Sequence, residues 1–302
     1  MSKYWLFVEL PCGIHRYVAI LPSLHSSIDD IEERMSKSHA RLAKLGASLL
    51  LMGLIGCSAP AGQAVVPTEV PVATKAVAHW TYEGEEGPEH WGKLDPAYLL
   101  CIDGTAQTPI DITAKSTNDV ADPVFGYRTG VADFVNNGHT VQAVPAAGNT
   151  LTVGETVYTL KQLHFHTPSE HAIDGVKAAA EMHFVHQSEA GVLAVVGVMI
   201  VAGDTPNAAW ESYVAGTSTP KGGAASATID WPALLPAELI TYQYEGSLTT
   251  PPCSEGVQWM VMRDAVTLSQ TQIDALAAAY EGNARPIQPI GDRDVVLDTQ
   301  TK

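Results

Sequence analysis

Two short segments in the middle of the chain, KQLHFHT and AEMHFVH, carry histidines at alternating positions. The first places His164 and His166 two residues apart, and the second adds His183. In a β-strand successive side chains point to opposite faces, so His164 and His166 share one face, with about 7 Å between their Cα atoms. On the second strand His183 shares its face with Glu181. Antiparallel pairing of the two strands would bring three imidazoles to one point.

Three neutral imidazoles suit a zinc ion and leave a fourth position open for water. We therefore interpret His164, His166 and His183 as ligands of one Zn²⁺ per chain. A ligating histidine usually donates its other ring N–H to a fixed acceptor, which sets its tautomer. Gln162 and Glu181 each lie two residues before a ligand histidine and on its face, so they are candidates for that role.

The remainder of the chain is typical of a β-rich domain. Short runs of β-branched and aromatic residues recur between turn signals, and no internal repeat divides them. The best helix candidates are 205–215 and 269–280. We predict one domain over 76–302, mainly β with small helices (α+β), built on a large central, mostly antiparallel twisted sheet. His171 and His186 are expected to be buried structural residues.

The charge of the chain excludes one class of partner. Residues 58–302 hold 28 acidic and 11 basic residues, which gives this part a net charge of −17. Such a surface repels the phosphate backbone of nucleic acids. We therefore expect no nucleic-acid partner and interpret the charge mainly as a source of solubility.

The amino-terminal part has the pattern of a targeting segment. Residues 35–57 combine a basic region with an apolar run too short to span a bilayer, which needs about 20 residues, and they end in LIGC. This ending resembles the lipobox of bacterial lipoprotein precursors, which implies lipidation of Cys57. The Pro- and Ala-rich stretch 58–75 would then be a tether. Residues 1–34 are an upstream extension of unknown role. We expect an exported, membrane-anchored lipoprotein that faces the periplasm or the cell exterior.

The chain resembles the α-class carbonic anhydrases over roughly 79–290. The matching stretches follow one another in the order found in that family. They are GPEHWGKL (87–94), QTPIDI (107–112), NNGH (136–139), QLHFHTPSEH (162–171), AEMHFVHQ (180–187), LAVVGV (193–198), YEGSLTTPPCSEGVQWMV (244–261) and NARPIQP (283–289).

This resemblance implies a reaction and a set of roles. The reaction is the reversible hydration of carbon dioxide to bicarbonate and a proton, by attack of zinc-bound hydroxide and histidine-mediated proton transfer. The three strand histidines match the zinc ligands, and the main chain near Asn283 matches the acceptor for the remaining ligand histidine. Thr249 and Glu170 match the pair that orients the hydroxide, and His139 matches the proton shuttle. The apolar wall that receives carbon dioxide matches Val185, Val195, Leu248, Thr250, Val257 and Trp259.

Two further cysteines, Cys101 and Cys253, remain after Cys57. An exported domain sits in an oxidising compartment, where a disulfide between them is plausible. Such a bridge would pin the loop that follows Thr249 to the segment before Gln107. Two buried free thiols are the alternative. Asn137-Gly138 is a hairpin-turn signal and predicts His139 at a strand end.

Two other functions compete with the carbonic anhydrase prediction. His164, His166 and Glu170 fit the ligand pattern of cupin-type metal enzymes, although the later Pro–Gly motif and fourth ligand histidine of that family are not found near His183. A zinc-binding surface lipoprotein without catalysis is the second competitor. The predicted partners are carbon dioxide and bicarbonate, and a membrane through the lipid on Cys57. A homodimer is an open alternative to a monomer.

Overall fold

The chain divides into two units, Met1–Val72 and Ala73–Lys302. The computed structural model describes residues 5–6, 18–19, 78–114 and 116–299. In the first unit the described residues form two strands, β1 (Trp5–Leu6) and β2 (Val18–Ala19), which pair antiparallel. The predicted signal sequence, its Cys57 and the tether lie outside the described residues.

The second unit is built mainly from strands, as its alternating sequence pattern predicts. Their bounds are β3 Asp111–Ile112, β4 Ser116–Asn118, β5 Pro123–Gly126, β6 Gly130–Asn136, β7 Val141–Pro145, β8 Thr150–Val153, β9 Thr156–His166, β10 Ala172–Ile173, β11 Val176–Lys177, β12 Ala180–Ser188, β13 Leu193–Gly203, β14 Ala224–Ile229, β15 Thr241–Ser247, β16 Glu255–Met262, β17 Val266–Ser269 and β18 Val296–Asp298.

A 13-stranded sheet forms the body of this unit. Its main path runs in the order β14-β6-β7-β9-β12-β13-β16-β15-β18-β4, with β5, β8 and β17 attached beside it. Most neighbours are antiparallel, whereas β13 pairs in parallel with β16 and β17, and β18 with β4. Strands β3, β10 and β11 form a small separate sheet. The predicted fold class, a large and mostly antiparallel sheet with small helices, is confirmed.

The helices are short and lie outside the sheet. Of the two predicted, 269–280 is confirmed: a capping box of Ser269 and Gln272 opens it, because each side chain satisfies a backbone N–H at the helix start. The segment 205–215 forms one 3-10 turn and then a helix of six residues, ending at Gly216. The helix bounds are α1 Trp91–Leu94, α2 Leu100–Asp103, α3 Glu211–Gly216 and α4 Gln270–Ala279. No helix among the described residues is long and apolar enough to cross a membrane.

The pairing of β9 with β12 positions the histidines. The two strands are antiparallel, and their register sets His183 directly opposite His164. On the other face of the same strands, Phe165 and Phe184 are fully buried in the main hydrophobic core. Alternation along two strands therefore separates a packed apolar face from a polar one, and the core fixes the strands that carry the histidines.

His186 lies on the core face, as predicted. A β-bulge follows Val185, and the ring of His186 is buried between strands. Its Nε2 lies 2.6 Å from the hydroxyl oxygen of Tyr127, and its Nδ1 lies 3.3 Å from the carbonyl oxygen of Ala194. Burial lowers its pKa to about 4, so the ring is a neutral hydrogen-bonding part of the core.

Candidate metal centre and active site

Three imidazole rings converge on one point at the bottom of an open cavity. The ligand atoms of His164, His166 and His183 all lie within 4.8 Å of one another. Their ring centroids are 4.7–5.3 Å apart. His166 and His183 are buried, whereas His164 is partly exposed to the cavity. The structure thus brings together the three residues predicted as metal ligands.

Fixed acceptors hold the outer nitrogens of the first two rings. The Nδ1 of His164 lies 2.8 Å from Oε1 of Gln162, and the Nδ1 of His166 lies 2.6 Å from the main-chain oxygen of Asn283. Because an acceptor oxygen requires a protonated Nδ1, each Nε2 is left with a lone pair that faces its neighbours. The Nε2 of His166 is buried and has no hydrogen-bond partner. A buried nitrogen of this kind fits a metal ligand.

Glu181 orients the third ring and is itself held by backbone donors. Its Oε1 accepts hydrogen bonds from Nε2 of His183 at 2.9 Å and from Nδ1 of His171 at 2.7 Å. Its Oε2 accepts the backbone N–H groups of Glu170 and His171. Although burial opposes the charge, the neighbouring histidines hold the pKa of Glu181 well below its usual range. The carboxylate therefore stays ionised and fixes the tautomer of His183.

His171 is a buried structural residue, as predicted. Together with Glu181 and His183 it forms a second group of side chains that could in principle hold a metal. Both of its ring nitrogens already have partners, however, because Nε2 lies 2.6 Å from the hydroxyl oxygen of Tyr244. His171 thus extends the hydrogen-bond network behind the site and adds no ligand to it.

A glycine makes room for the Glu181 carboxylate. Gly197 lies opposite His183 on β13. A Cβ atom at Gly197 would lie 2.9 Å from Oε1 of Glu181 and 3.4 Å from a methyl carbon of Val261. A side chain at this position would therefore crowd the oxygen that accepts hydrogen bonds from His171 and His183.

The electrostatics of the three rings fit a divalent metal. Burial lowers the pKa of His164 well below its ordinary value and that of His166 to about 4, and it also lowers that of His183. All three are therefore neutral at pH 7, which is the form in which imidazole binds metal. Three neutral nitrogen donors, each with an oriented outer nitrogen, are the donor set of a catalytic zinc site with an open fourth position.

Glu170 lies beside the histidines in an environment that shifts its ionisation. Its side chain is fully buried, with Oε2 at 3.4 Å from Nε2 of His166 and 3.9 Å from Nδ1 of His183. Its Oε1 accepts the backbone N–H of Arg285 at 2.8 Å. Burial raises the pKa of Glu170 to about 6, and interactions that include the side chain of Thr249 oppose this rise. The predicted pair of Thr249 and Glu170 is thus brought together at the edge of the histidine cluster.

Sequence reasoning assigned no role to Arg285, whose guanidinium is buried under the site. It donates hydrogen bonds to Oε1 of Gln107 and to the main-chain oxygens of Thr108 and Cys101. Its own backbone N–H holds Glu170. The available signal was its position in NARPIQP, two residues after Asn283. A buried arginine there ties the segment 101–108 to the Glu170 carboxylate.

One wall of the cavity is apolar. The cavity has a volume of about 120 Å³ and opens above the histidines. The wall residues predicted from the family match line it, with one exception, as Val185, Val195, Leu248, Thr250 and Trp259. The indole N–H of Trp259 donates to the main-chain oxygen of Ser247 at 2.9 Å, which fixes the ring.

The exception is Val257, which does not line the cavity. It lies on the same face of β16 as Trp259 but is only 1% exposed. It packs in the hydrophobic cluster behind the wall, together with Val195 and Tyr244. The prediction that Val257 contacts the substrate space is therefore corrected: its side chain supports the wall from behind.

His139 lies at the mouth of the cavity. The predicted hairpin forms, but its loop spans 137–140, so His139 lies within the loop and not at a strand end. The longer loop is stabilised by Oδ1 of Asn137, which accepts the N–H groups of His139 and Thr140. The ring of His139 stacks on Trp80 at 3.7 Å between centroids. Burial lowers its pKa, and the nearby His79 and Lys221 lower it further.

Cys101 and Cys253 form a disulfide, with 5.1 Å between their Cα atoms. The predicted bridge is confirmed, and the alternative of free thiols is wrong. The bridge joins α2 to the loop that follows Thr249. The carbonyl oxygen of Cys253 also accepts a hydrogen bond from Gln107, so the loop is held at two points.

Comparisons with known proteins agree with this geometry. Residues 86–299 match the family model of the eukaryotic-type carbonic anhydrases. A carbonic anhydrase from Pectobacterium carotovorum is 41% identical over 229 residues, which cover 74% of this chain and 92% of that protein. A carbonic anhydrase from Nostoc is 39% identical and covers 75% of this chain.

Solved structures show the same fold. The α-carbonic anhydrase of Photobacterium profundum matches with a TM-score of 0.69 and 42% identity, covering 72% of this chain and 100% of that one. The α-carbonic anhydrase of Thermovibrio ammonificans, solved with the inhibitor sulfanilamide, matches with a TM-score of 0.69 and 38% identity, covering 73% of this chain and 99% of that one.

Proposed function

The chain belongs to the eukaryotic-type, or α-class, carbonic anhydrase family, and we propose that it carries out the hydration of carbon dioxide at a zinc ion held by His164, His166 and His183. It is an enzyme of the carbon–oxygen lyase type. The observation that carries the zinc proposal is the convergence of three ring nitrogens whose opposite nitrogens are already bound to fixed acceptors. The cupin alternative is wrong, because the chain belongs to a different family.

A zinc ion held by the three histidines would supply the nucleophile. It would lower the pKa of a water molecule to about 7, an effect for which the carbonic anhydrases are the standard example. The protein contributes neutral ligands, which leave the full charge of the ion uncompensated. Burial keeps those imidazoles neutral, as the lowered pKa values of His164 and His166 indicate.

Thr249 and Glu170 orient the nucleophile. The Glu170 carboxylate is fixed on one side by the N–H of Arg285. Its other oxygen is available to accept the hydroxyl proton of Thr249, which then presents a lone pair toward the cavity. A nucleophilic oxygen that donates a hydrogen bond to Thr249 would have one of its own lone pairs directed at the carbon atom of carbon dioxide. This is a positional contribution to the rate.

The apolar wall receives the substrate. Carbon dioxide is uncharged and needs no hydrogen-bond donor to lie against side chains such as Val185, Leu248 and Trp259. Bicarbonate is an anion, and the same wall offers it no partner. The wall therefore favours entry of the substrate and release of the product.

His139 carries the proton away. It lines the same cavity as the three strand histidines, at its outer end. A histidine titrates close to neutral pH and can accept and release a proton within one turnover. Stacking on Trp80 involves a face of the His139 ring. The N–H bond and the nitrogen lone pair point outward in the ring plane, so this stacking does not block proton transfer.

The proposed function is tested by stopped-flow hydration of carbon dioxide on residues 58–302, before and after zinc is removed and restored. We expect rapid hydration that disappears with zinc and returns with it. Thr249→Ala should keep zinc and lose most of the activity. Bound zinc without any hydration would instead support the non-catalytic zinc-binding protein.

We also propose that the enzyme is exported and anchored through a lipid on Cys57. The basic region, the short apolar run and the LIGC ending support this proposal. Full-length protein should incorporate labelled palmitate and fractionate with membranes, whereas Cys57→Ala should do neither. Membrane attachment of Cys57→Ala without label would contradict the proposal.

A further inference from the structure

A second, outer groove adjoins the cavity at His139. His139 lines both spaces and forms the boundary between them. The groove is rich in ionisable side chains, and those that line it besides His139 and two tyrosines are His79, Glu83, Glu85, Glu86, Lys221 and Glu281. A proton that leaves the zinc cavity through His139 therefore enters a space with several further groups able to accept it.

His79 is placed to be the next acceptor. Its ring centroid lies 6.2 Å from that of His139, at an interplanar angle of 43°. One water molecule can bridge two imidazoles at this separation with hydrogen bonds to both. The Nδ1 of His79 lies 3.1 Å from Oε2 of Glu86, and the side chain of His79 is 64% exposed. The ring is thus oriented on one side, close to His139 and open to solvent.

The charges around the two rings favour outward transfer. Desolvation, His79 and Lys221 all disfavour the protonated form of His139 and so lower its pKa. His79 lies farther out, and its Nδ1 is within hydrogen-bond distance of the acceptor Oε2 of Glu86. The carboxylates of Glu83, Glu85 and Glu281 in the same groove add a negative field that attracts protons.

We propose that His79 is a second proton-relay residue, which takes the proton of His139 through one bridging water and releases it to solvent. The proton on the His139 imidazolium passes to that water as the water gives one of its own to neutral His79. His139 then returns to its neutral form. Solvent or buffer removes the proton from His79, so no other reactant is consumed. This inference rests on the proposed hydration activity and adds a step after His139.

The test separates proton release from carbon dioxide conversion. In carbon dioxide hydration kcat contains the proton-release step, whereas kcat/KM reports only the steps through bicarbonate formation. His79→Ala in weak buffer should lower kcat by roughly two- to tenfold, less than a directly positioned proton-transfer group contributes. The value of kcat/KM should not change, and concentrated imidazole buffer should restore kcat.

Two variants control for packing. His79→Phe keeps an aromatic ring beside His139 and Trp80 but has no nitrogen, so it should show the same loss as His79→Ala. His90→Ala removes a histidine of the same segment that lies outside the groove, and it should behave like the unaltered enzyme. In a His139→Ala background, His79→Ala should cause no further loss, because the two groups act in series.

Several results would overturn the proposal. They are an unchanged kcat in weak buffer, full activity of His79→Phe, a fall in kcat/KM, or an additional loss in the His139→Ala background. A failure of the proposed function is distinguishable from all of these, because the unaltered enzyme would then show no zinc-dependent hydration in any buffer.

Discussion

The histidines at the floor and at the rim of the cavity are held in different ways: three imidazoles at the floor by hydrogen bonds to their outer nitrogens, and one at the rim by ring stacking. His164, His166 and His183 each have an outer nitrogen hydrogen-bonded to a fixed acceptor. His139 instead stacks on Trp80. A histidine that binds a metal requires one tautomer and one orientation. A histidine that carries protons must instead be able to gain and lose a proton at each of its two nitrogens. The same side chain serves both purposes because its surroundings differ.

The largest expected effect is on the floor. His183→Ala removes one of three zinc ligands, so the protein should lose zinc and nearly all hydration activity. Metal analysis of the purified variant and stopped-flow rates check this result. The control is His186→Ala on the opposite face of β12, which should keep zinc but unfold at lower temperature because it breaks a core hydrogen bond to Tyr127. Retention of zinc by His183→Ala would show that the ligand set is wrong.

A rim variant should leave zinc untouched. His139→Ala is expected to lower kcat in weak buffer on the order of 100-fold, the lower end of what a positioned proton-transfer group contributes. Small imidazole-type buffers should restore the rate. Because the pKa of His139 is lowered, the ionisation that it adds to the kcat profile should lie below pH 6.5. Equal rates for variant and unaltered enzyme in weak buffer would refute the shuttle.

The orienting acceptors can be tested apart from the ligands. Both carboxylate oxygens of Glu181 accept hydrogen bonds from N–H groups. Glu181→Gln replaces one of these oxygens with an NH₂ group, which cannot accept such a bond. Zinc affinity should fall by about 10- to 100-fold, the usual cost of losing such a partner. Competition with a chelator measures this change. The rate at saturating zinc should fall less than the affinity, and an unchanged affinity would mean that the carboxylate does not set the position of His183.

The smallest change is the addition of one methyl group. Gly197→Ala should push the Glu181 carboxylate from its position and lower zinc affinity by roughly tenfold, the lower end of the same range. Gly203→Ala is the control on the same strand, because its Cβ would meet a methyl group of Thr267 instead. Its zinc affinity should equal that of the unaltered protein, and thermal unfolding measures the effect of the new contact on stability.

Much of the floor could be predicted, because it depends on local alternation. Side chains alternate between the two faces of a strand, so the sequence of β9 and β12 alone predicts that His164, His166 and Glu181 lie on one face. Asn283 was found through the family match, since a main-chain acceptor leaves no pattern in its own side chain. The role of Arg285 could not be derived, because its partners lie 177–184 residues away in sequence.

The rim and the wall were harder for the same physical reason. The loop around His139 extends two residues beyond the Asn137-Gly138 turn, to Thr140, because a side-chain acceptor stabilises it. Trp80, which stacks on His139, comes from a segment with no strand or helix pattern. Val257 shares a face with Trp259, but alternation gives the face and not the depth. Depth depends on the packing of several strands at once.

The turn between β12 and β13 is a position at which the chain could be divided into two complementary fragments. Glu189 and Gly191 are exposed there, and the three histidines of the proposed zinc site all precede the turn, whereas Thr249, Trp259 and Arg285 all follow it. A chain cut at this hairpin would be divided into one fragment with the three histidines, Glu170 and Val185, and one with Thr249, Arg285 and the rest of the apolar wall. Each fragment alone would be inactive. If two other proteins were fused to the fragments, recovery of carbon dioxide hydration would report that those two proteins bind each other.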